Sequence, residues 1–302
     1  MNDFRIAFST LACPDWSWED ILRFGSEYGY DGVEVRLIQR EVNLLSRQEF
    51  APPQLSSRRR ELARANFQVC GLASSVHLDD GEAALRAEQV RIGGEYLALA
   101  ESLGAGFIRV FGDLLPPNSE PERREQTLQG IADGLQALGD LAGPRNLMVL
   151  IETHGDFSAS PPVVDLMRRV DHPQVGVLWD THHPWRFHGE DIAATWETLK
   201  PWTRHTHWKD SVQVRGQAVK PASQAVDEAA ALASQLMGGH QHADYVLFGG
   251  GEFPARDCLQ LMTDDGYSGW HSLEWEKMWH PELVGPEVAL PLFPGKLRAL
   301  RH

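Results

Sequence analysis

The sequence predicts a single-domain α/β fold, a (β/α)8 TIM barrel that covers residues 1–302. Eight short apolar or β-branched segments recur along the chain, and helical patterns follow most of them. Strands that alternate with helices indicate a parallel sheet. Eight such strands over about 270 residues indicate that the sheet closes into a barrel. Because no Pro/Ser-rich linker divides the chain, one domain is expected.

The predicted elements follow one another in regular alternation. The strands are expected at residues 6–10, 32–36, 68–74, 107–112, 147–154, 175–180, 205–210 and 271–276. The helices between them are expected at residues 17–28, 56–65, 83–103, 122–142, 161–170 and 254–265. Ser17 and Ser160 stand where helix-capping residues are favoured, and Gly29, Gly104 and Gly266 stand where helices end.

The stretch at residues 210–249 departs from this alternation. It is longer than the other connections and contains a helical pattern of its own at about 222–237. Long insertions in barrels are typical of active-site covers and oligomer contacts. We therefore expect the insertion between the last two barrel strands to act as a lid or as a contact between copies in a homo-oligomer.

The charge balance argues against a nucleic-acid partner. The net charge is −14, from 28 Lys and Arg residues against 42 Asp and Glu residues. A surface this acidic repels a phosphate backbone, which proteins neutralise with clustered Lys and Arg. The basic runs at 58–60 and 123–124 lie in helical patterns beside acidic residues, which is typical of solvated helix faces.

Cysteine usage and hydropathy indicate a cytoplasmic protein without a membrane partner. Cys13, Cys70 and Cys258 are widely spaced and form no C-x-x-C pair, which is typical of a reducing compartment and offers no sulfur metal site. No apolar run approaches the roughly 20 residues that span a bilayer. The first residues lack the apolar region of a signal peptide.

Polar residues close several of the apolar strands. The fifth predicted strand runs into Glu152, the sixth ends in Asp180, the seventh contains His207 and the eighth contains Glu274. Active sites of barrels lie at the carboxyl ends of the strands. Because side chains alternate along a strand, these four side chains are expected to converge on one rim.

A divalent metal ion would resolve the repulsion in such a cluster. Three carboxylates held close together repel one another, and without a cation one would take up a proton. Three acids and one imidazole form a hard, oxygen-rich ligand set, which favours Mn²⁺ or Mg²⁺ and leaves Co²⁺ and Zn²⁺ as alternatives. The competing interpretation is that each acid forms a separate salt bridge at its strand end.

Four motifs carry a resemblance to a known family. They are Ile151-Glu152-Thr153-His154, Trp179-Asp180-Thr181-His182-His183, His205-Thr206-His207-Trp208-Lys209-Asp210 and the stretch from Gly266 to Glu276, which reads GYSGWHSLEWE. With them the chain resembles, nearly end to end, the xylose isomerase-like barrels. This sugar phosphate isomerase/epimerase superfamily includes ketose 3-epimerases and inosose dehydratases.

The resemblance implies a site and a reaction. It assigns one divalent ion, for which we expect Mn²⁺, to Glu152, Asp180, His207 and Glu274. It implies an isomerase or epimerase that acts on a sugar, a sugar phosphate or a related polyhydroxy ketone through a metal-stabilised enediolate. Glu152 and Glu274 would exchange the proton, while His183 and Lys209 would bind substrate oxygens. Gln213 stands where the ketose 3-epimerase pattern has an Arg, which puts that narrower subgroup in doubt.

Three other functions remain to be weighed. The same metal site would serve a dehydratase or a lyase of the inosose or 3-keto-glycoside type, with His154 or His205 as the acid for the leaving oxygen. An endonuclease related to AP endonuclease IV is disfavoured because strand four ends in Arg109-Val110-Phe111-Gly112, without the histidine of its zinc cluster. A non-catalytic barrel is disfavoured because the implied ligands are intact.

Several residues near the predicted rim are weaker candidates. His154, His77, Arg36 and Trp16 are candidate substrate-binding residues, each weighed against a role in packing or in a loop. Glu34 and Arg36 end the second strand on one face and are expected to form an ion pair lining the barrel. Arg109 is a further candidate for the pocket, and Cys13 is expected to be a buried structural thiol.

Overall fold

The structure is a computed structural model in which residues 4–218 and 241–301 are described. Its strands are β1 (Arg5–Ser9), β2 (Gly32–Val35), β3 (Gln68–His77), β4 (Phe107–Phe111), β5 (Met148–Glu152), β6 (Val175–Asp180), β7 (Thr203–Trp208), β8 (Asp210–Ala218), β9 (Gln241–Val246) and β10 (Trp270–Leu273). Its helices are α1 (Trp18–Glu27), α2 (Pro52–Ala65), α3 (Ala83–Leu103), α4 (Pro121–Ala142), α5 (Ser160–Val170), α6 (His182–His188), α7 (Ile192–Leu199), α8 (Ala255–Asp264), α9 (Pro286–Ala289) and α10 (Leu292–Ala299).

Eight of the strands form a closed parallel barrel. Their order around it is β1-β10-β7-β6-β5-β4-β3-β2, so sequential strands are neighbours and β10 closes the sheet against β1. The predicted (β/α)8 barrel is confirmed. Among the described residues, no helix is long and apolar enough to cross a membrane.

The barrel interior changes from apolar to charged along the strands. Two small apolar clusters lie apart from the main core; one joins Ala7, Cys70 and Trp270, and the other joins Phe107, Leu150 and Leu178. Two residues further along three of these strands, the same face carries Arg109, Glu152 and Asp180. The lower barrel is therefore a packed apolar plug that supports a charged layer at the carboxyl-end rim.

A glycine makes room for part of this plug. A Cβ atom on Gly32 would lie 2.6 Å from the Gln68 carbonyl oxygen and 2.9 Å from the Trp270 ring. Any larger side chain at the start of β2 would therefore push the Trp270 indole out of the barrel. The glycine is required here by close approach, because no backbone strain is involved.

Most helix boundaries follow the sequence signals. Ser17 caps α1, and its side chain and that of Asp20 form a reciprocal capping box. Gly104 ends α3 with φ +76°, a conformation that only glycine adopts without strain. The expected cap at Ser160 is wrong, because α5 already begins at that residue and Ala159 occupies the capping position without a side-chain bond.

The 210–249 stretch begins and ends as an antiparallel hairpin that the sequence pattern did not predict. Strands β8 and β9 pair from Asp210–Val246 to Gln213–Ala243. Residues 219–240, which include the helix expected at 222–237, lie outside the described part of the chain. The proposed role of this stretch as a lid or an oligomer contact stays a prediction.

One buried carboxylate fixes the base of the hairpin. The Asp210 side chain accepts hydrogen bonds from the backbone N–H groups of Ser211, Gly249, Gly251 and Phe253, at 2.9–3.0 Å. Gly251 must be small, because a Cβ atom there would lie 2.2 Å from the Asp210 carboxylate. The aspartate of the H-x-H-x-K-D motif therefore holds the backbone around the end of β7.

Candidate metal-binding active site

Four side chains of the charged layer meet at the carboxyl ends of neighbouring strands. Glu152 and Asp180 are the last residues of β5 and β6, His207 lies near the end of β7, and Glu274 directly follows β10. Strand register places His207 beside Asp180 on one side and Ser272 on the other. The four side chains each offer one ligand atom, and these atoms lie within 4.8 Å of one another. All four residues are buried.

Local hydrogen bonds orient this cluster. Asp180 Oδ1 accepts the backbone N–H groups of His182 and His183, at 2.9 and 3.1 Å, as α6 begins. His207 Nδ1 lies 3.3 Å from Glu152 Oε1 and 3.3 Å from Glu274 Oε2. The cluster therefore presents three carboxylates and one imidazole nitrogen to the same small volume.

The electrostatics of the cluster favour a cation. Burial raises the pKa of Asp180 to about 6, and the neighbouring Glu274 and Glu152 carboxylates add to the shift against the opposing charges of Lys209 and His207. A carboxyl that is hard to ionise beside two others is the situation that a divalent ion relieves. The hard oxygen-rich donor set and the small separation of its atoms fit such an ion.

The ammonium group of Lys209 is surrounded by carboxylates. Its Nζ lies 2.9 Å from Asp180 Oδ2, 2.5 Å from Glu274 Oε2 and 2.6 Å from Glu276 Oε1, and the side chain is almost completely buried. These three carboxylates raise the pKa of Lys209 well above its ordinary value, although burial alone would lower it. The ammonium group therefore stays charged and helps hold the acids in place.

His183 presents an unprotonated nitrogen to the cluster. Its Nδ1 lies 2.8 Å from the Thr153 carbonyl oxygen, so Nδ1 carries the proton and donates it to that carbonyl. Its Nε2 faces Lys209 Nζ at 3.3 Å and Asp180 Oδ2 at 3.5 Å. Burial and the charge of Lys209 hold the pKa of His183 well below its ordinary value, so the ring is neutral.

Glu34 does not form the expected ion pair with Arg36. Its Oε2 lies 2.8 Å from His205 Nε2 and 2.8 Å from His207 Nε2, across the barrel. Glu34 lies on the inward face of β2 and faces β7 across the barrel. Arg36 lies two residues further along the chain, just past the end of β2 and nearer the rim. Burial alone would lower the pKa of His207, but Glu274, Glu34 and Glu152 raise it well above its ordinary value, which favours a proton on both ring nitrogens when no ion is bound. With an ion bound, a proton on Nε2 donated to Glu34 would leave Nδ1 to face that ion. Carboxylates orient metal-binding histidines in this way.

His154 and His205, the two candidate acids for the leaving oxygen, differ in how accessible they are from the rim. His205 is fully buried, with its Nε2 bound to Glu34 beneath the cluster. The His154 side chain is one-quarter exposed, and its ring lies 5.9 Å from that of His183. Only His154 is open to a molecule that enters from the rim.

His154 has a partner that the sequence pattern did not reveal. Its Nδ1 lies 2.8 Å from Oδ1 of the buried Asp113, and that carboxylate raises the pKa of His154 against the opposing effect of burial. Asp113 adopts φ +44° just beyond β4, which turns its side chain toward β5. An aspartate two residues past a strand is common in loops, so its role is visible only in the fold.

Two arginines complete the rim. Arg109 Nε lies 3.2 Å from Glu152 Oε2, and its guanidinium carbon lies 3.8 Å from the centre of the Phe111 ring. Arg36 donates its backbone N–H to Thr10 Oγ1 at 2.9 Å. Within residues 4–218 and 241–301, its guanidinium group has no hydrogen bond or ion pair.

Two further candidates lie apart from the cluster. The Trp16 ring packs against Phe24, with centroids 4.8 Å apart, and is largely buried. His77 ends β3 and its Nδ1 lies 3.3 Å from the Ser75 carbonyl oxygen. Neither contacts the four clustered residues, so their predicted contact with substrate stays a prediction. Cys13 is buried, and burial raises the pKa of its thiol well above the ordinary value, as a structural role requires.

Two curated relatives are dehydratases. The chain is 27% identical to the inosose dehydratase of Klebsiella pneumoniae (strain 342) over 180 residues, which cover 59% of this chain and 54% of that enzyme. It is 24% identical to the 3-dehydroshikimate dehydratase of Bacillus anthracis over 196 residues, which cover 64% of this chain and 66% of the relative. The chain thus spans about half the length of the inosose dehydratase that it matches.

Solved structures match the fold over nearly the whole chain. A probable 3-DHS dehydratase involved in petrobactin synthesis from Bacillus anthracis has a TM-score of 0.73 at 18% identity and covers 99% of both chains. A xylose isomerase-like TIM barrel protein from Mycobacterium smegmatis, in complex with magnesium, has a TM-score of 0.69 at 15% identity over 99% of this chain and 97% of its own. The 3-keto-D-glucoside 4-epimerase of E. coli has a TM-score of 0.67 at 14% identity over 99% of both chains.

A family model accounts for most of the sequence. The model described as xylose isomerase-like TIM barrel matches residues 22–290, which contain all four clustered residues and every barrel strand except β1. This agrees with the closed eight-stranded barrel and with the resemblance carried by the four motifs. The chain belongs to the family of xylose isomerase-like TIM barrels.

Proposed function

We propose that the protein is a divalent-metal-dependent dehydratase of a small polyhydroxy ketone. It would remove a proton beside the carbonyl group and expel a neighbouring hydroxyl group as water. The single observation that carries this proposal is the pair of His154 and Asp113, a partly exposed imidazole held by a buried carboxylate next to the cluster. The inosose and 3-dehydroshikimate dehydratases among the relatives support it.

The residues proposed to hold the ion are Glu152, Asp180, His207 and Glu274. A divalent ion bound there would polarise a substrate carbonyl and make the adjacent C–H more acidic. Mn²⁺ is the ion we expect from the hard donor set, and the magnesium-bound relative supports an ion of this class. Glu34 would keep His207 in the tautomer that frees Nδ1 for this role.

Glu152 and Glu274 are the proposed proton-transfer residues. Burial alone would raise the pKa of each, but Arg109 and His207 together outweigh it at Glu152, and His207 and Lys209 together outweigh it at Glu274. The pKa of both carboxylates is therefore lowered, and both are anions at neutral pH. An anionic carboxylate beside the activated C–H can accept its proton, which is the general-base role.

His154 is the proposed acid for the leaving group. As the C–H bond breaks, its electron pair forms the new C=C bond and the C–O bond of the neighbouring hydroxyl breaks. The departing oxygen takes a proton from His154 and leaves as water, so no oxidant or reductant is needed. Asp113 would stabilise the protonated ring before the transfer.

Isomerisation or epimerisation, the function expected first from the sequence, is the second candidate. It requires one carboxylate to remove a proton and a second carboxylate to return it. Glu152 and Glu274 come from β5 and β10, which are separated by β6 and β7, so they approach the same volume from different sides. The 3-keto-D-glucoside 4-epimerase with the same fold supports this alternative.

The decisive experiment is a product screen with metal-loaded protein. Inososes, 3-keto sugars and 3-dehydroshikimate are incubated with Mn²⁺ in D₂O, and products are followed by mass spectrometry. Dehydration predicts loss of one water, whereas epimerisation predicts an unchanged formula with one deuterium. His154→Asn should lower the dehydration rate by about 10²–10⁴-fold, while proton exchange beside the carbonyl persists.

A second histidine–aspartate pair provides the control. His172 Nε2 lies 3.3 Å from Asp140 Oδ1. Asp140 is in α4 and His172 lies just before the amino end of β6, whereas the rim is at the carboxyl ends of the strands. His172→Asn should leave the rate unchanged. Equal dehydration rates for His154→Asn and the wild type would overturn the acid role of His154. A wild-type product with an unchanged formula and one deuterium would overturn the dehydratase proposal and favour epimerisation. Cytoplasmic localisation and homo-oligomer formation stay predictions from the sequence.

A further inference from the structure

The guanidinium group of Arg36, just beyond β2, has no hydrogen bond or ion pair with any described residue. Arg36 is 6% exposed, and its Nη1 is buried without a hydrogen bond. The two acids whose charges act on Arg36 have other partners: Glu152 pairs with Arg109, and Glu274 binds Lys209 and lies beside His207. A buried guanidinium group without an acceptor is unfavourable, because it has lost its water and gained nothing in exchange.

A second arginine of the same half of the rim is only partly satisfied. Arg109 is 2% exposed, and its one acidic contact is that of Nε with Glu152. Its Nη1 is buried and has no partner among the described residues. Arg36 and Arg109 lie close enough to repel each other, and this repulsion adds to burial in lowering the pKa of Arg36 to about 10. Two buried like charges with spare donors call for an anion.

We propose that Arg36 and Arg109 form a carboxylate-binding subsite beside the candidate metal cluster, so that the substrate is an acidic polyhydroxy ketone. This inference rests on the proposed function, because it assigns the class of molecule that the same site would take. The planar guanidinium group matches a planar carboxylate with paired N–H donors.

The position of Arg36 and Arg109 suits contact with a carboxylate of the substrate better than contact with a carboxylate of the protein. Arg36 follows Glu34 on the inward face of β2, and Arg109 lies on the inward face of β4. Glu152 ties Arg109 to the cluster, so a carboxylate on the two arginines would be carried by the same molecule whose carbonyl lies at the cluster. A neutral polyol ketone could accept hydrogen bonds from these donors, but it would leave the two buried positive charges uncompensated.

The experiment compares two ligands that differ only in charge. 3,4-Dihydroxybenzoate and 3,4-dihydroxybenzamide have adjacent hydroxyl groups that bind a divalent ion, and their carboxylate and carboxamide groups have the same shape. Affinities for Mn²⁺-loaded protein are measured by titration calorimetry. The wild type should bind the benzoate at least about tenfold more tightly than the benzamide.

Variants then locate this preference. Arg36→Gln should weaken benzoate binding by about 10- to 100-fold and benzamide binding much less. Retained Mn²⁺-dependent binding of the benzamide also shows that the site is folded. Arg36→Lys should restore part of the preference, since it keeps the charge but loses the paired donors. Arg40→Gln, which removes an exposed ion pair with Asp15, is the control and should behave as the wild type.

Each remaining outcome is decisive. Equal affinity of the wild type for the two ligands, with Mn²⁺ bound, overturns the subsite and leaves the proposed function intact. Failure to bind Mn²⁺ overturns the proposed function and the subsite with it. Inorganic phosphate is titrated in the same way, because a phosphoryl group is the other anion that two arginines could bind. If phosphate binds more tightly than the benzoate and Arg36→Gln abolishes this binding, the arginines are assigned to a phosphoryl group and the carboxylate assignment is overturned.

Discussion

The two halves of the barrel interior differ in how far their charged side chains are paired with one another. The carboxylate half, formed by β5, β6, β7 and β10, supplies Glu152, Asp180, His207 and Glu274, which face one another and Lys209. The arginine half, formed by β2 and β4, supplies Arg36 and Arg109, whose Nη1 atoms have no partner within the described residues. Both halves are almost fully buried.

This difference suits the two halves of the rim to bind different kinds of ion. Mutually repelling acids that are held together by neighbouring strands are suited to bind a cation. Unmatched guanidinium donors are suited to bind an anionic group that arrives from outside. Glu34 crosses between the halves, because it lies on β2 and bonds to the histidines of β7.

The largest effect is expected from removing the imidazole of the carboxylate half. His207→Ala should abolish both metal binding and activity, because it deletes the only nitrogen among the four proposed ligands. At a Mn²⁺ concentration of about 100 times the dissociation constant, the wild type should gain about 2.7 kcal/mol in its free energy of unfolding. The variant should show no such gain in thermal denaturation.

His183→Ala is the matched comparison, since His183 lies beside the cluster but is proposed to contact substrate. It should keep the stabilisation by Mn²⁺ and lose turnover. Loss of metal binding in both variants would make His183 a fifth ligand and enlarge the site.

The next largest effect concerns the two glutamates of the carboxylate half. Glu152→Gln and Glu274→Gln keep an oxygen ligand but remove the basic oxygen. The rate should fall by about 10²–10⁴-fold, with metal binding partly retained. Deuterium uptake from D₂O at the carbon beside the carbonyl measures proton removal directly.

The variants also test the division between the halves. If exchange continues undiminished in both glutamate variants, the base lies elsewhere, and His154 becomes the first candidate because it is the rim histidine open to solvent.

The smallest of these effects is expected where the halves meet. Glu34→Gln should lower metal affinity by about 10- to 100-fold, because the amide holds the His207 tautomer less firmly than a carboxylate. Metal titration followed by fluorescence or calorimetry measures the change. Glu88→Gln, which alters an exposed ion pair of α3 with Arg91, is the control. An unchanged metal affinity in Glu34→Gln would contradict the orienting role assigned to this residue.

The carboxylate half could be located from the sequence because its signals are local. Each of Glu152, Asp180 and Glu274 closes an apolar run, and strand alternation determines which side chains share a face. Parallel strands bring their carboxyl ends to one rim whatever the details of packing. The convergence of the four side chains therefore follows from one-dimensional spacing and the fold class.

The pairing of the arginine half could not be predicted in this way. Glu34 and Arg36 are two residues apart on one face, and sequence spacing favoured an ion pair between them. In the folded barrel Glu34 meets His205 and His207, which are more than 170 positions away. The partner of a side chain inside a closed barrel depends on strand tilt and register, which local patterns do not encode.

The same contrast applies to elements outside the barrel. The helix at 83–103 was predicted to the residue because a long helical pattern ends in a glycine that tolerates positive φ. The β8-β9 hairpin was missed although Val212 and Val214 alternate with polar residues, because its two strands are far apart in sequence. Asp210 organises it through backbone N–H groups that are also distant in sequence.

The barrel, the rim on which the polar side chains meet and the family resemblance could all be predicted from the sequence, since they follow from hydrophobic periodicity, strand ends and contiguous motifs. The folded structure was needed to show that Asp113 binds His154, that Glu34 binds His207 and that Arg36 Nη1 has no partner among the described residues. Those outcomes depend on which side chains from distant strands come within about 3 Å of each other in a low-dielectric interior.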